Sequence, residues 1–204
     1  MTTSTLDLTL ELCSEDGSNT QFYQSDENSS RRIMGLLNTP RLFAQSSLTL
    51  ASERNVSIVP CRTIDLILAR TKLPLPLPLP PGWLDIVEVG AVAFQEEALL
   101  KLARNGEGEA PNPEPDDGAT YLEIHTAGNW MIILSLLAAR LATIQDERQR
   151  LAHFFDLPVI PFRLPAGGAG FLNPAKISRL TLYPSFPGTG ESVLPADFLR
   201  CIRP

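Results

Sequence analysis

The stretch Arg32–Pro40 (RIMGLLNTP) decides the fold, because its pattern returns downstream in Arg150–Pro158 (RLAHFFDLP). Both copies show a basic residue, an aliphatic residue, two variable positions, two large apolar residues, Asn or Asp, one variable position and proline. Proline cannot continue a helix, and it biases the residue before it towards extended geometry. Each copy therefore predicts the end of a helix, and together they suggest a repeated unit.

Landmarks on either side of this pattern recur in the same order. The pairs Leu10–Leu12 and Leu122–Ile124, Pro40 and Pro158, and Pro60 and Pro174 are separated by 112, 118 and 114 residues. After the last pair, an ungapped match aligns Arg62 with Lys176, Leu66 with Leu180 and Leu68 with Leu182. We interpret this as a tandem duplication with changes in loop length. The alternative is that two similar runs of strands and helices arose independently.

The first unit, residues 5–70, has a β-β-α-β-β pattern. Leucines alternate with polar residues over 6–12, which is typical of a half-buried strand, and Asp16-Gly17 supplies a hairpin turn before a strand at 20–23. Ser25 is the expected N-cap of a helix that runs to Leu37. Further strands are expected at 42–51, 56–59 and 63–69.

The second unit, residues 119–184, repeats this order. A strand at 121–125 leads into the turn signal Gly128-Asn129 and a returning strand at 130–137. A capping pattern at Thr143 opens a helix that runs to Phe155, followed by extended chain at 159–164 and a strand at 177–183. Residues 185–204 form a proline-rich tail that we expect to pack on the surface.

The predicted fold class is α+β, mainly antiparallel sheet with two principal helices, in a pseudo-two-fold tandem duplication of a hairpin–helix–hairpin unit. One unit alone would expose a sheet edge and an apolar face. Two copies can bury these faces against each other about a pseudo-two-fold axis, as a homodimer does.

Residues 71–118 form the connector between the units. Alternate prolines in Lys72–Gly82 exclude helix and favour a stiff polyproline segment that presses its leucines on the protein's own surface. An SH3 ligand is the alternative, since Pro78 and Pro81 have PxxP spacing. A strand at 83–94 and a short helix at 96–104 follow. The acidic segment 105–118 is expected to be mobile, and it lacks the residue spacing of a calcium loop.

The composition narrows the class of protein. The 204 residues have 44% hydrophobic side chains and a formal net charge of −6, and the acidic excess lies in residues 71–140. No Lys/Arg stripe suits nucleic acid, and the longest apolar run is about half of a membrane span. Three scattered cysteines and an N-terminus unlike a signal peptide favour the cytoplasm. We expect no metal and no cofactor.

The candidate reactive groups have no supporting motif. His125 and His153 lack metal-ligand or nucleophile-elbow spacing, so structural or surface roles are favoured. The glycine-rich stretch Gly167–Gly170 does not lead into a helix, which favours a flexible loop over a phosphate cradle. Cys13 and Cys61 fall in predicted strands, which favours buried thiols over reactive ones.

Four residues are the ligand-binding candidates: His125, Trp130, Arg32 and Arg150. The two arginines occupy equivalent positions in the repeated pattern, so they predict either solvated helix faces or a symmetric site for an anion or acidic partner. The alternative of a site between the two lobes brings His125 and Trp130 together with Gly167–Gly170.

The preferred hypothesis is a non-enzymatic cytoplasmic protein-interaction or assembly module, which binds a protein partner or associates with itself. The self-similar architecture, the proline-rich connector and the lack of a catalytic constellation favour it. The alternative is a small enzyme, or a small-ligand or anion-binding protein, with a site between the two lobes. A membrane-surface protein is disfavoured by the acidic centre of the chain.

Overall fold

The structure is a computed structural model that describes residues 7–51, 55–73, 76–96, 120–138 and 153–183. The fold is mixed α/β and dominated by sheet, with two helical segments in these ranges. This confirms the predicted predominance of sheet. Several predicted features lie outside the described residues: Arg150, most of the helix 143–155 and of the helix 96–104, the acidic segment 105–118 and the tail from residue 184 onward.

The elements of residues 7–71, hereafter the first half, are strands β1 to β5 and helix α1. Their bounds are β1 Leu8–Ser14, β2 Asn19–Gln24, α1 Glu27–Leu37, β3 Ser47–Ala51, β4 Val56–Pro60 and β5 Ile64–Thr71, with a 3₁₀ turn at Cys61–Thr63. The predicted strand at 42–51 is shorter than expected, because residues 40–44 form turns instead.

The connector supplies strand β6. Residues 120–183, hereafter the second half, supply strands β7 to β11. Their bounds are β6 Trp83–Glu88, β7 Thr120–Thr126, β8 Met131–Ala138, β9 Ile160–Arg163, β10 Gly168–Leu172 and β11 Ile177–Tyr183, with a 3₁₀ turn at Pro174–Lys176. The predicted strand at 83–94 was wrong beyond Glu88, since residues 91–96 are helical.

In the part of the chain that the structure describes, nine strands form one sheet in the order β11-β7-β8-β6-β9-β10-β5-β1-β2, and β3 and β4 form a separate two-stranded sheet. The ladders between these strands are antiparallel except for one parallel bridge between Val87 of β6 and Arg163 of β9. The second half therefore joins the first through β10, which pairs with β5.

Helix α1 begins directly after Asp26, which is its N-cap. The side chain of Asp26, rather than the predicted Ser25, accepts a hydrogen bond of 2.8 Å from the backbone N–H of Ser29. The helix buries Met34 and Leu37 and ends at Asn38, whose N–H donates to the Met34 carbonyl. Pro40 follows two residues later, as the opening pattern predicts.

Three clusters of buried side chains make up the core. The first lies among β5, β7, β8, β9 and β10 and includes Phe154 and Phe162. The second lies between α1, the β3–β4 hairpin and the face of β1 that carries Leu8, Leu10 and Leu12. The third joins Phe94 of the helical segment 91–96 to Tyr121 and Ile133. Each fully buried Leu or Phe contributes about 1.5–3 kcal/mol, so the first two clusters dominate stability.

The first hairpin of each half has the same turn. Ser14 and Gly17 hydrogen-bond across the β1–β2 turn as Thr126 and Asn129 do across the β7–β8 turn. Gly17 and Asn129 both have positive φ, 80° and 64°. Glycine and asparagine are the residues that best tolerate this conformation.

The last strand of each half also follows the same type of turn in both halves. A 3₁₀ turn precedes β5 and β11, and each strand pairs with the first strand of its own half. Both ladders skip one residue at the same place, after Ile64 and after Ile177. The shared bulge aligns Leu66 with Arg179, so the ungapped sequence match of Leu66 with Leu180 is one residue out of register with the backbone.

The glycines at 167–170 do not form the predicted flexible loop, because Gly168–Leu172 is strand β10, between β9 and β5. A Cβ on Gly168 would overlap the carbonyl oxygen of Ala69, and a Cβ on Gly170 would overlap the ring of Phe162. Glycine is needed here because another chain segment approaches closely, which is a different use from flexibility.

Candidate functional site

A groove lies where the two copies of the repeated pattern end. It has a volume of about 250 Å³. Its walls are three segments: Leu37–Pro40 from the end of α1, Pro78–Pro81 from the connector, and Leu157–Pro161, which leads into β9. Phe171 of β10 also lines it. Pro40 and Pro158, the last residues of the two copies, both line it.

Specific contacts hold the proline segment against the end of α1. The side-chain amide of Asn38 donates a hydrogen bond of 2.9 Å to the carbonyl of Pro76. Leu77 packs against the second cluster, and Leu79 packs against the first. Trp83, which follows the segment, makes an edge-to-face contact with Phe154, at 5.5 Å between ring centroids. The proline segment therefore packs against both the first and the second cluster.

The groove has the chemistry of an apolar docking surface. Its lining consists of leucine, valine, proline and phenylalanine side chains, with Asn38 and Thr39 as the polar members. Among the lining residues that the structure describes, none has an ionisable side chain. Such a surface binds by removing apolar groups from water.

A second cleft of about 330 Å³ adjoins the groove and shares Pro80, Pro81 and Leu157 with it. His153 and Asp156 lie on its rim, with 3.4 Å between the imidazole Nδ1 and a carboxylate oxygen. Both side chains are mostly exposed, so this pair is held weakly. The shared residues make the two clefts one extended surface with an apolar centre and a polar end.

A polar cluster occupies the outer face of β7 and β11. Nε2 of His125 lies 2.7 Å from a carboxylate oxygen of Glu123 and 2.6 Å from Nη2 of Arg179. The same arginine lies 3.0 Å from the Glu123 carboxylate. Nε2 of His125 carries either a proton or a lone pair, so it can donate to Glu123 or accept from Arg179, but it cannot do both at once. The carboxylate of Glu123 compensates the charge of Arg179.

Trp130 lies at the turn between β7 and β8, where the two first hairpins meet. Its Nε1 donates a hydrogen bond of 2.9 Å to the carbonyl of Ser14. Next to it, the backbone N–H of Gly128 donates to Oδ2 of Asp65 at 2.6 Å. Asp65 is fully buried at the bulge of β5. The tryptophan thus joins the two halves.

The predicted ligand-binding residues lie apart in the described contacts. His125 contacts β11, Trp130 contacts the β1–β2 turn, and Gly168 contacts the backbone of β5. Arg32 is exposed on α1, and Arg150 lies outside the described residues. Their role in binding a ligand stays a prediction, and no described contact joins the first three.

Both described cysteines are buried and free. Burial, together with the nearby carboxylates of Glu11 and Asp65, raises the pKa of the Cys13 thiol to about 12. Burial also raises the pKa of Cys61. The thiolate is the reactive form, so neither thiol is a nucleophile near neutral pH. The favoured prediction of buried thiols is confirmed.

Sequence reasoning missed the groove, although it had singled out its parts. The pattern ending in Pro40 and Pro158 and the PxxP spacing of Pro78 and Pro81 all belong to the lining. On sequence alone, Pro40 and Pro158 predict the ends of helices, and Pro78 and Pro81 predict a stiff connector. The signal that could have found the groove is the proline that ends both copies of the pattern, at Pro40 and Pro158, together with the run of prolines in the connector.

Within the described ranges, no group of three or more His, Cys, Asp or Glu side chains is arranged to hold a metal ion. No helix in these ranges has the length and apolar character that crossing a membrane requires. A scan against protein-family models, a search of the curated proteins and a search of the solved structures each gave no match to this chain.

Proposed function

We propose that the chain is a non-enzymatic protein-interaction module. Its groove, lined by Leu37–Pro40, Pro78–Pro81 and Leu157–Pro161, receives a short extended segment rich in aliphatic residues and proline from a protein partner. The observation that carries the proposal is the lining, whose described members are apolar apart from Asn38 and Thr39 and include no ionisable side chain.

The shape of the groove supports an extended peptide. The groove of about 250 Å³ continues into the adjoining cleft of about 330 Å³, which gives an elongated surface. Two or three side chains of an extended peptide can enter such a space while the rest of the peptide stays in solvent. Prolines on both sides of the groove lose little conformational freedom on binding, which lowers the cost of association.

We further propose that the two halves arose by tandem duplication. The shared turn geometry of the first hairpins, the shared 3₁₀ turns and the shared bulges after Ile64 and Ile177 support this origin. A cytoplasmic setting is part of the same proposal, and the buried free thiols of Cys13 and Cys61 are compatible with it.

Selection from a random twelve-residue peptide library on phage tests the proposed binding. Thr39 lines the groove, whereas Thr20 is exposed on β2 and lies outside it. We expect the protein to enrich peptides with aliphatic residues and proline. Thr39→Glu should weaken binding of synthetic versions at least about tenfold, because a charge in the apolar lining must be desolvated. The matched control Thr20→Glu should bind like the unmodified protein.

Two results would reject the proposed function. One is selection that enriches no common sequence feature. The other is a set of enriched peptides that bind Thr39→Glu and Thr20→Glu equally well. Either result would show that the groove is a packing imperfection rather than a docking surface.

A further inference from the structure

The second hairpins of the two halves differ in their surroundings. In the second half, β9–β10 lies inside the main sheet, and β10 pairs with β5 over five residue pairs. In the first half, β3–β4 forms a sheet of its own. Strand β4 has β3 on one side and, in the described part of the chain, no strand on the other.

This difference leaves large apolar side chains in water. The 3₁₀ turns that follow β4 and β10 align Val56 with Ala169 and Ile58 with Phe171. Ala169 and Phe171 are 0% and 1% exposed, because β10 lies against β5. Val56 and Ile58 are 62% and 66% exposed. An uncovered strand edge with adjacent apolar residues is a template for pairing with another strand.

The main sheet has a matching open edge at β11. Strand β11 is the counterpart of β5, which has β1 on one side and β10 on the other. Within the described ranges, β11 has β7 on one side and no strand on the other. Leu180 and Leu182 of β11 pack against the first cluster but remain partly exposed, whereas their counterparts in β5, Ile67 and Ala69, are fully buried.

We propose that β4 of one molecule pairs with β11 of a second copy of the chain, in the antiparallel register by which β10 pairs with β5. In the internal ladder, Phe171 lies opposite Ile67 and Ala169 lies opposite Ala69. Transfer of this register to the open strands gives a predicted ladder. Its central pairs are Ile58 with Leu180, Ser57 with Thr181, and Val56 with Leu182.

The side chains of this ladder are complementary. Two pairs join aliphatic residues, and the pair between them joins two hydroxyl side chains. Interactions between directly opposed side chains are what stabilise neighbouring strands of a sheet. The alternation along both strands keeps the aliphatic pairs on one face, where Leu180 and Leu182 already pack against the first cluster. Pairing would therefore extend that cluster over Val56 and Ile58.

A second molecule is the expected partner because the two edges belong to different parts of the fold. The β3–β4 hairpin packs on the second cluster through Leu48, Leu50 and Val59. Strand β11 lies at the far end of the main sheet and contributes to the first and third clusters. Each molecule thus carries one donor edge and one acceptor edge. Such a heterologous contact produces closed rings or open chains, according to its rotation.

Neither edge includes a residue of the groove, so this association stands apart from the proposed peptide binding. Sedimentation velocity of the full chain between about 1 and 200 μM tests it. We expect the mean mass to rise with concentration. Ile58→Glu should weaken association at least about tenfold, because it places a charge opposite Leu180. Ile58 is exposed, so this variant should fold.

Leu36→Glu is the matched control, since Leu36 is similarly exposed on α1, away from both edges. It should associate like the unmodified protein. A monomer at every concentration would overturn the proposal, as would association that Ile58→Glu and Leu36→Glu change equally. Peptide binding by the groove should persist in Ile58→Glu, which separates failure of this inference from failure of the proposed function.

Cross-linking tests the register. Ser57→Cys and Thr181→Cys are made in separate molecules that carry Cys201→Ser, and the two proteins are mixed under mild oxidation. A disulfide between the two variants is expected, because Cβ atoms of opposed residues lie about 4.5–5.5 Å apart. Disulfides that form equally well between two Ser57→Cys molecules would show a symmetric contact and would contradict the predicted ladder.

Discussion

The contact between the two first hairpins should tolerate no added atom at Gly128. A Cβ at this position would overlap the carbonyl oxygen of Ser14 and would lie 2.9 Å from Oδ2 of Asp65 and 3.0 Å from Cα of Glu15. Two of these atoms belong to backbone, which cannot rotate out of the way as a flexible side chain can. Gly128→Ala must therefore separate the β1–β2 turn from the β7–β8 turn.

The expected cost has two parts. Overpacking a well-packed site costs about 1–3 kcal/mol. Displacement of the turn also breaks the hydrogen bond of 2.6 Å from Gly128 to the buried Asp65 carboxylate. A hydrogen bond to a charged group contributes about 1.5–3 kcal/mol. We expect Gly128→Ala to lower the free energy of unfolding by roughly 3–5 kcal/mol and Tm by roughly 10 °C.

Urea and thermal unfolding, followed by circular dichroism, measure this effect. Gly35→Ala is the matched control, because a Cβ at Gly35 meets nothing within 4 Å and the residue lies inside α1. Alanine is favoured over glycine in a helix by about 1 kcal/mol, so this variant should gain stability. A Gly128→Ala protein as stable as the unmodified one would refute the description of the contact between the hairpins.

Three further predictions concern single side chains. Asn173→Ala should cost about 2 kcal/mol in urea unfolding, because it leaves the buried Ile64 carbonyl without its donor; a change below about 0.5 kcal/mol would contradict this role. The Ser29 N–H lowers the pKa of Asp26, so the stabilisation is present above the ordinary pKa and is lost as pH falls through the lowered one. The stability difference between the unmodified protein and Asp26→Asn, measured by unfolding from pH 6 to pH 3, should therefore shrink on acidification, and a constant difference would argue against the cap. In a Cys201→Ser protein at pH 8, Ellman's reagent should modify the two remaining thiols only after unfolding, and rapid modification of the native protein would show that they are accessible.

The features that sequence predicted well are those decided by neighbouring residues. Alternating leucines place β1, and the turn after it needs a residue that tolerates positive φ at Gly17. The end of α1 before Pro40 follows from the chemistry of proline. Each of these signals acts within a few residues, so the pattern is visible in the chain itself.

The features that sequence mispredicted depend on distant contacts. Gly170 is glycine because the ring of Phe162 fills the space of its side chain, and no local pattern shows this. The sequence match equates Pro60 with Pro174, but Pro60 ends β4 whereas Pro174 opens the 3₁₀ turn, so that match is one residue out of register with the backbone. The groove also depends on distant contacts, because its three walls come from separate segments of the chain. No local pattern therefore predicts it.

The central claim is that a strand of the second half completes the sheet of the first half. Ala69 of β5 and Ala169 of β10 lie directly opposite each other and are both fully buried. A NOESY spectrum of protein with ¹³C-labelled alanine methyl groups tests this pairing without any substitution. We predict a strong cross-peak between the Ala69 and Ala169 methyl groups. Its absence, together with contacts from Ala69 to β4, would contradict the account.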